Sequence, residues 1–366
     1  MIAVLTSGVA LGVHVPGLLL ARRLTECGQP VRVDVLERFL PQDRRSRIPA
    51  SKHAFHRDFR LALAGQRLSN QNSAGLDEEA VRALLAEWTA AEVDLLVVLS
   101  GFWLPTARWY AAQRPGVRVH ACHVDSVASP SFTSAASSDT GADGTRTGCR
   151  RVWLLEEHAG AIARTIPVSL AEPVGWAHRE PRFLVHGGGW GMGTYAARAR
   201  ELADCGLALD IIAYERGDIP GAGAQSRAPD CRYFMIDPSW HPWHDDGFPP
   251  FGQVRSDGTA DFRRSVAHHD SFHLARSALA MISKPGGGTL MDSLAAATPV
   301  VLLEPFGAHE AHNARLWERL GFGIPYAAWQ RSGRSPALLE GMHHRLLDAR
   351  ARATSYPDSL IKESAR

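Results

Sequence analysis

Residues 283–313 read Ser-Lys-Pro-Gly-Gly-Gly-Thr-Leu-Met-Asp-Ser-Leu-Ala-Ala-Ala-Thr-Pro-Val-Val-Leu-Leu-Glu-Pro-Phe-Gly-Ala-His-Glu-Ala-His-Asn. An apolar strand over 278–282 runs into the glycine turn, and the apolar spacing beyond it predicts an amphipathic helix from Thr289. A second buried strand over 299–303 delivers His309, Glu310 and Asn313 past its carboxyl end. Gly286, Gly287 and Gly288 let the backbone approach a ligand closely, and the unpaired N–H groups opening the next helix favour an anion. Asp292, expected one helical turn inside, is a candidate acceptor for hydrogen bonds from a ribose diol. A glycine turn also opens many helices that bind nothing. The carboxylate and the polar trio make this one a candidate nucleotide-diphosphate site.

A second cluster, Gly187-Gly188-Gly189-Trp190-Gly191-Met192-Gly193, stands between an expected strand over 182–186 and a helix over 194–205. No frame of it satisfies Gly-x-Gly-x-x-Gly, because Met192 or Thr194 falls at the third glycine. A nicotinamide or flavin site is therefore disfavoured. Two glycine turns feeding two helix N-termini can grip one diphosphate from two sides.

Both turns carry a family resemblance. Lys284 to Thr289 resembles the Lys-Pro-Gly-Gly-x-Thr turn of GT-B glycosyltransferases, in the UDP-sugar-dependent branch that contains diacylglycerol glycosyltransferases and the lipid II N-acetylglucosaminyltransferase. Asp292 stands where that branch usually has Glu, and His309, Glu310 and Asn313 fall in its Gly-x-Glu-x-x-Asn segment, with His309 where Gln is common. The resemblance implies that Gly188, Gly189, Trp190, Gly191, Pro285, Gly286, Gly287, Gly288, Thr289, Asp292, His309, Glu310 and Asn313 bind the donor. It covers the donor half best and thins to one segment in the other half.

That segment is residues 6–24, where Pro16, Leu18, Ala21, Arg22 and Leu24 fit the family's first helix. The family places a His three residues before the proline; His14 lies two before Pro16. An exposed His there would take the acceptor's proton as the new bond forms; the alternative is a loop His that caps the helix or contacts solvent. Ser100 stands where relatives have an Asp that orients the His, and a serine cannot stabilise an imidazolium by charge. Asp125 is the substitute candidate, and an amine acceptor, which needs little deprotonation, stays open.

Composition agrees with two cores. The chain has 366 residues, 45% of them hydrophobic, and a net charge of +2 that points to neither nucleic acid nor an anionic surface. Its 40 basic residues include only three lysines, Lys52, Lys284 and Lys362, so Lys284 is conspicuous in an arginine-rich chain, and no P-loop exists. Five scattered cysteines without a Cys-x-x-Cys pair read as reduced thiols of a cytoplasmic protein. The apolar start over 2–20 is broken by Gly12, His14 and Pro16, so it reads as strand, loop and helix with no stable membrane insertion. Residues 129–148 read as a loop rich in Ser, Thr, Gly and Ala. The histidine groups at 240–246 and 268–273 lack zinc spacing, and the family works without a bound metal, so no metal or other cofactor is expected. Lys52, His53, His56, Arg57 and Arg60 read as a basic helix face.

The expected fold class is α/β, with two Rossmann-like domains facing across a cleft. Residues 1–172 would bind the acceptor, 173–326 the donor, and helices over 327–366 would brace the first domain. The expected activity is bacterial natural-product glycosylation: inverting transfer of a sugar from a UDP-sugar to a small-molecule or carrier-bound acceptor. A UDP-sugar epimerase or hydrolase of the same fold, or a non-catalytic nucleotide-sugar-binding subunit, are the alternatives.

Overall fold

The computed structural model describes residues 1–69, 75–137, 149–220 and 230–364. Short apolar runs alternate with amphipathic ones along the chain, and such runs are buried on both faces when helices cover a parallel sheet. The first sheet contains β1 (Ile2–Thr6), β2 (Val31–Val35), β3 (Leu95–Val98), β4 (Arg118–His123) and β5 (Cys149–Trp153), all parallel, in the order β2-β1-β3-β4-β5. A short β6 (Arg164–Thr165) follows.

The second sheet is built from β7 (Glu180–His186), β8 (Ala208–Ile212), β9 (Cys231–Ile236), β10 (Phe251–Val254), β11 (Ala278–Ser283), β12 (Val300–Leu302) and β13 (Gly323–Pro325). Its order is β10-β9-β8-β7-β11-β12-β13, and only β10 runs antiparallel. The chain direction across the sheet reverses between β7 and β11, so their carboxyl ends form the crevice where doubly wound sheets bind ligands. His186 and Ser283, the last residues of these strands, are direct partners in register. Both glycine turns therefore leave the sheet side by side.

The halves share apolar packing. Leu18, Leu20 and Leu24 of helix Leu11–Glu26 belong to one buried cluster with Leu290 and Leu294 of helix Gly287–Ala296. At the far end of the latter helix, buried Arg179 donates at 2.7 Å to the Ala296 carbonyl, which the helix leaves open, and at 2.7 Å to the Ala278 carbonyl at the start of β11. The last helix, Tyr356–Ser364, follows β14 (Thr354–Ser355), which pairs parallel with β6. It packs on the first sheet, where the Tyr356 hydroxyl lies 3.1 Å from His120 Nδ1 and Arg150 reaches Glu363 at 2.6 Å.

Two local expectations differ from the structure. Residues 130–137, within the expected loop, form helix Pro130–Ser137, seated by the Gly101 N–H donating to Ser131 Oγ at 3.0 Å; residues 138–148 lie outside the described residues. The helix expected from Thr289 begins at Gly287, with Gly286 as its cap, which moves Asp292 deeper than one turn.

Several imidazoles are buried without charge partners. Burial takes His14 from 6.5 to about 3, and His120 and His123 to about 4. The unfolded chain binds protons at these sites from about pH 6.5 downward while the folded chain does not, so stability falls as pH drops through that window. His123 stacks on Trp153 at 3.9 Å with both ring nitrogens unpartnered. We expect the urea midpoint to fall between pH 7 and pH 5, and His123→Phe, which keeps the ring and removes the titration, to shrink that fall.

Candidate active site

The two sheets face each other across a cleft of about 610 Å³. Asp125, Gly188, Gly189, Trp190, Gly286, Gly287, Gly288, Thr289, Asp292, His309 and Glu310 line it. The expected residues His14, Gly191, Pro285 and Asn313 do not.

The β11 turn is shaped by the opposite half of the molecule. A Cβ on Gly287 would lie 2.6 Å from the Val124 carbonyl oxygen and 3.0 Å from Asp125 Oδ1. One on Gly288 would lie 3.2 Å from the Gly12 Cα. On the β7 turn, a Cβ on Gly189 would lie 2.7 Å from Leu11 Cβ. Close approach is thus required by backbone packing between the halves, in addition to any ligand. Asn313 belongs to the same junction. Its amide donates to Asp125 Oδ1 at 2.8 Å and to the Pro285 carbonyl at 2.9 Å, and its oxygen accepts from the Ser126 N–H at 2.8 Å. With every polar atom engaged, this side chain clasps the halves and does not face a sugar. Gly191 is at the rim: its backbone is left-handed (φ 57°), and its carbonyl faces His56 Nδ1 at 2.7 Å.

Lys284 provides the cleft's cation. Its Nζ lies 2.7 Å from Glu310 Oε1, and a Cβ on Gly188 would stand 3.3 Å from it, so the ammonium sits between the two glycine turns. Glu310 Oε2 also accepts from the Phe306 N–H at 2.6 Å. An ammonium has three donors and Glu310 uses one. The scarcity of lysine was the sequence signal for this residue, but its spatial role depended on the β7 turn.

His14 is not the exposed loop base expected. It lies inside helix Leu11–Glu26, fully buried, with Nδ1 3.1 Å from Thr6 Oγ1 and Nε2 unpartnered. Desolvation, aided by Arg38 and Lys52, pushes it down to about 3, which leaves a very weak base. Ser100 does line the cleft, but His14 is held by Thr6. Asp125 stands at the end of β4 on the cleft wall; burial raises its carboxyl above the ordinary 3.8, opposed by His309, the Asn313 hydrogen bond and Lys284. Asp292 Oδ2 lies 3.0 Å from His269 Nε2, and its Oδ1 has no protein partner.

Glu37 escaped sequence reasoning. It is buried at the end of β2 and accepts from Ser7 Oγ at 2.6 Å and from the N–H groups of Gly8 at 2.6 Å and Val9 at 3.1 Å, fixing the loop before helix Leu11–Glu26. No local pattern joins positions 8 and 37. Around it the first half offers an apolar wall, with Leu11, Leu36, Leu40, Ile48, Phe55 and Phe102 facing the cleft.

If the Gly287 contact is steric, Gly287→Ala should destabilise the apo protein by about 1–3 kcal/mol, as overpacking does. Gly160→Ala, where a Cβ meets nothing within 4 Å, should be neutral or slightly stabilising. Denaturant titration without ligand checks both.

No protein-family model matches this sequence, and no curated protein matches it either. Solved structures do. The SsfS6 glycosyltransferase from Streptomyces sp. SF2575 superposes with a TM-score of 0.59 at 14% identity, covering 100% of this chain and 99% of its own. The spinosyn rhamnosyltransferase SpnG gives 0.58 at 16% identity over 99% of both chains. MurG from Acinetobacter baumannii gives 0.52 at 14% identity, over 99% of this chain and 97% of its own. SsfS6 and SpnG have also been solved with thymidine diphosphate. The chain has the GT-B fold, with parallel sheets in two facing units.

Proposed function

We propose that this GT-B chain is a glycosyltransferase that moves a sugar from a pyrimidine nucleoside diphosphate to a small, largely apolar acceptor. The observation that carries this reading is the Lys284 ammonium, buried between two glycine turns that leave paired strands at a sheet's topological switch point. A diphosphate placed there would meet the N-terminus of helix Gly287–Ala296 and the two free donors of Lys284. These groups supply fixed positive potential where charge develops on the leaving diphosphate. The resemblance in the sequence favours uridine, whereas the thymidine diphosphate complexes of similar structures favour a deoxynucleotide. Asp292 Oδ1, free of protein partners, is the acceptor for a ribose hydroxyl.

In the first half, at its junction with the β11 turn, Asp125 replaces His14 as the base. As the acceptor oxygen bonds to the anomeric carbon, its proton passes to the Asp125 carboxylate, and the bond to the diphosphate breaks with its electron pair leaving on oxygen. Attack from the wall facing the diphosphate gives inversion. The apolar first-half surface accounts for an apolar acceptor, in keeping with natural-product glycosylation in a bacterium. Among the described residues no helix is long and apolar enough to span a membrane.

Calorimetry with UDP and dTDP tests the donor site, and wild-type affinity for both in Lys284→Met would remove its basis. Lys284→Met should also lower kcat by about 10²–10³, the usual loss for one electrostatic stabiliser. Asp125→Asn should keep nucleotide affinity and lose about 10²–10⁴ in turnover on a hydroxyl acceptor. Because the base works deprotonated and its pKa is raised, wild-type kcat/KM should rise with pH along an acidic limb centred above 3.8. That limb should vanish in Asp125→Asn. Nucleotide-sugar hydrolysis that no acceptor accelerates would favour a hydrolase instead.

A further inference from the structure

We propose that His53, His56, Glu215 and Asp218 form a divalent-cation site of the zinc type, which ties helix Ile48–Arg57 to the loop after β8 behind the Gly187–Gly193 turn. The site goes beyond the transfer reaction and does not depend on it. His53 and His56 are three residues apart on one helix and so share a face. Glu215 and Asp218 are also three apart, bracketing the short turn Arg216–Asp218. The two pairs meet with His53 Nδ1 at 2.7 Å from Glu215 Oε2 and His56 Nε2 at 3.0 Å from Asp218 Oδ1. One ligand atom from each of His56, Glu215 and Asp218 falls within 4.8 Å of the others. Ligands about 2.0–2.1 Å from a tetrahedral zinc stand about 3.4 Å apart, so small side-chain shifts bring these three atoms to that geometry, and His53, outside the trio but against Glu215, would have to swing in as the fourth.

The surrounding hydrogen bonds aim these atoms. His56 Nδ1 lies 2.7 Å from the Gly191 carbonyl, which can only accept, so Nδ1 carries a proton and Nε2 faces Asp218, as a donor when the ring is charged and as a lone pair when it is neutral. Lone pair against carboxylate is repulsive until a proton or a cation lies between them. Asp218 Oδ2 accepts from the Tyr214 and Glu215 N–H groups, both at 3.0 Å, which leaves Oδ1 directed at His56. Carbonyl-to-histidine and N–H-to-carboxylate contacts of this sort hold metal ligands in place. Arg57, 3.1 Å from Glu215 Oε1, holds the carboxylate oxygen that His53 does not face. His53 is 46% exposed, which gives an ion a route in from solvent.

The consequence is mechanical. Through the Gly191 carbonyl, and through His56 against the Tyr214 ring at 4.7 Å, a bound ion would stiffen the turn that carries Gly188 and Trp190.

The test uses the full chain after chelator treatment, titrated with Co²⁺ in the visible and with Zn²⁺ by equilibrium dialysis. We expect one equivalent bound, with the d–d bands of four-coordinate cobalt and no thiolate charge transfer. Affinity should fall about 10–100-fold in His56→Ala and measurably in His53→Asn. His53→Asn, at a half-exposed position, keeps the test valid if His56→Ala does not fold. Non-saturable binding, thiolate bands or affinity unchanged in folded variants would overturn the proposal and leave an ordinary ion-pair clasp.

Discussion

Backbone against backbone, with nothing between, is the constraint on which the rest of this molecule depends. Helix Gly287–Ala296 starts so close to the first half that Gly288 rests on Gly12 and Gly287 on the Val124 carbonyl. Any side chain would push the halves apart, and with them Asp125, Asn313 and the helix N-terminus. Seen this way the glycines serve two purposes at once. They leave backbone open to the cleft, and they allow its two walls to share one backbone junction.

The charges follow from that closeness. Lys284 and Glu310 are both nearly buried, and removing an ion pair from water costs more than its attraction returns unless further hydrogen bonds complete it. The Phe306 N–H supplies one, and Lys284 lines the cleft. Such an arrangement is poorly justified by stability alone and well suited to an anion arriving from solvent. His14 shows the opposite solution. Buried without a charged partner, it stays neutral and packs like the apolar residues around it.

Much of this was legible in the sequence, and the divide is physical. Alternating apolar runs with glycine turns marked β7 and β11 because both their strand propensity and their breakers are local. The GT-B fold was implied by the resemblance that both turns bear to that family. Less was legible wherever the decisive partner is distant in sequence. His14 reads as a loop residue until helix Leu11–Glu26 turns it toward Thr6, and nothing marks Glu37 until the loop at Ser7–Val9 closes on it. Asn313 carried a family motif, yet its amide is consumed by Asp125, Ser126 and Pro285. Helix Pro130–Ser137 was hidden in a stretch of small residues whose composition names no structure.

The parallel pairing of β6 with β14 has one further implication. The chain passes from the first sheet to the second just after β6 and returns through β14, so the halves are joined by two adjacent strands rather than one tether. A single tether lets two bodies swivel in any direction. A two-stranded ribbon behaves as a flexure, compliant to bending across its face and stiff to shear and to rotation about its length. Any opening of the cleft would have to bend that pair across its face, and closing would return the Gly12 and Gly288 backbones to the same register.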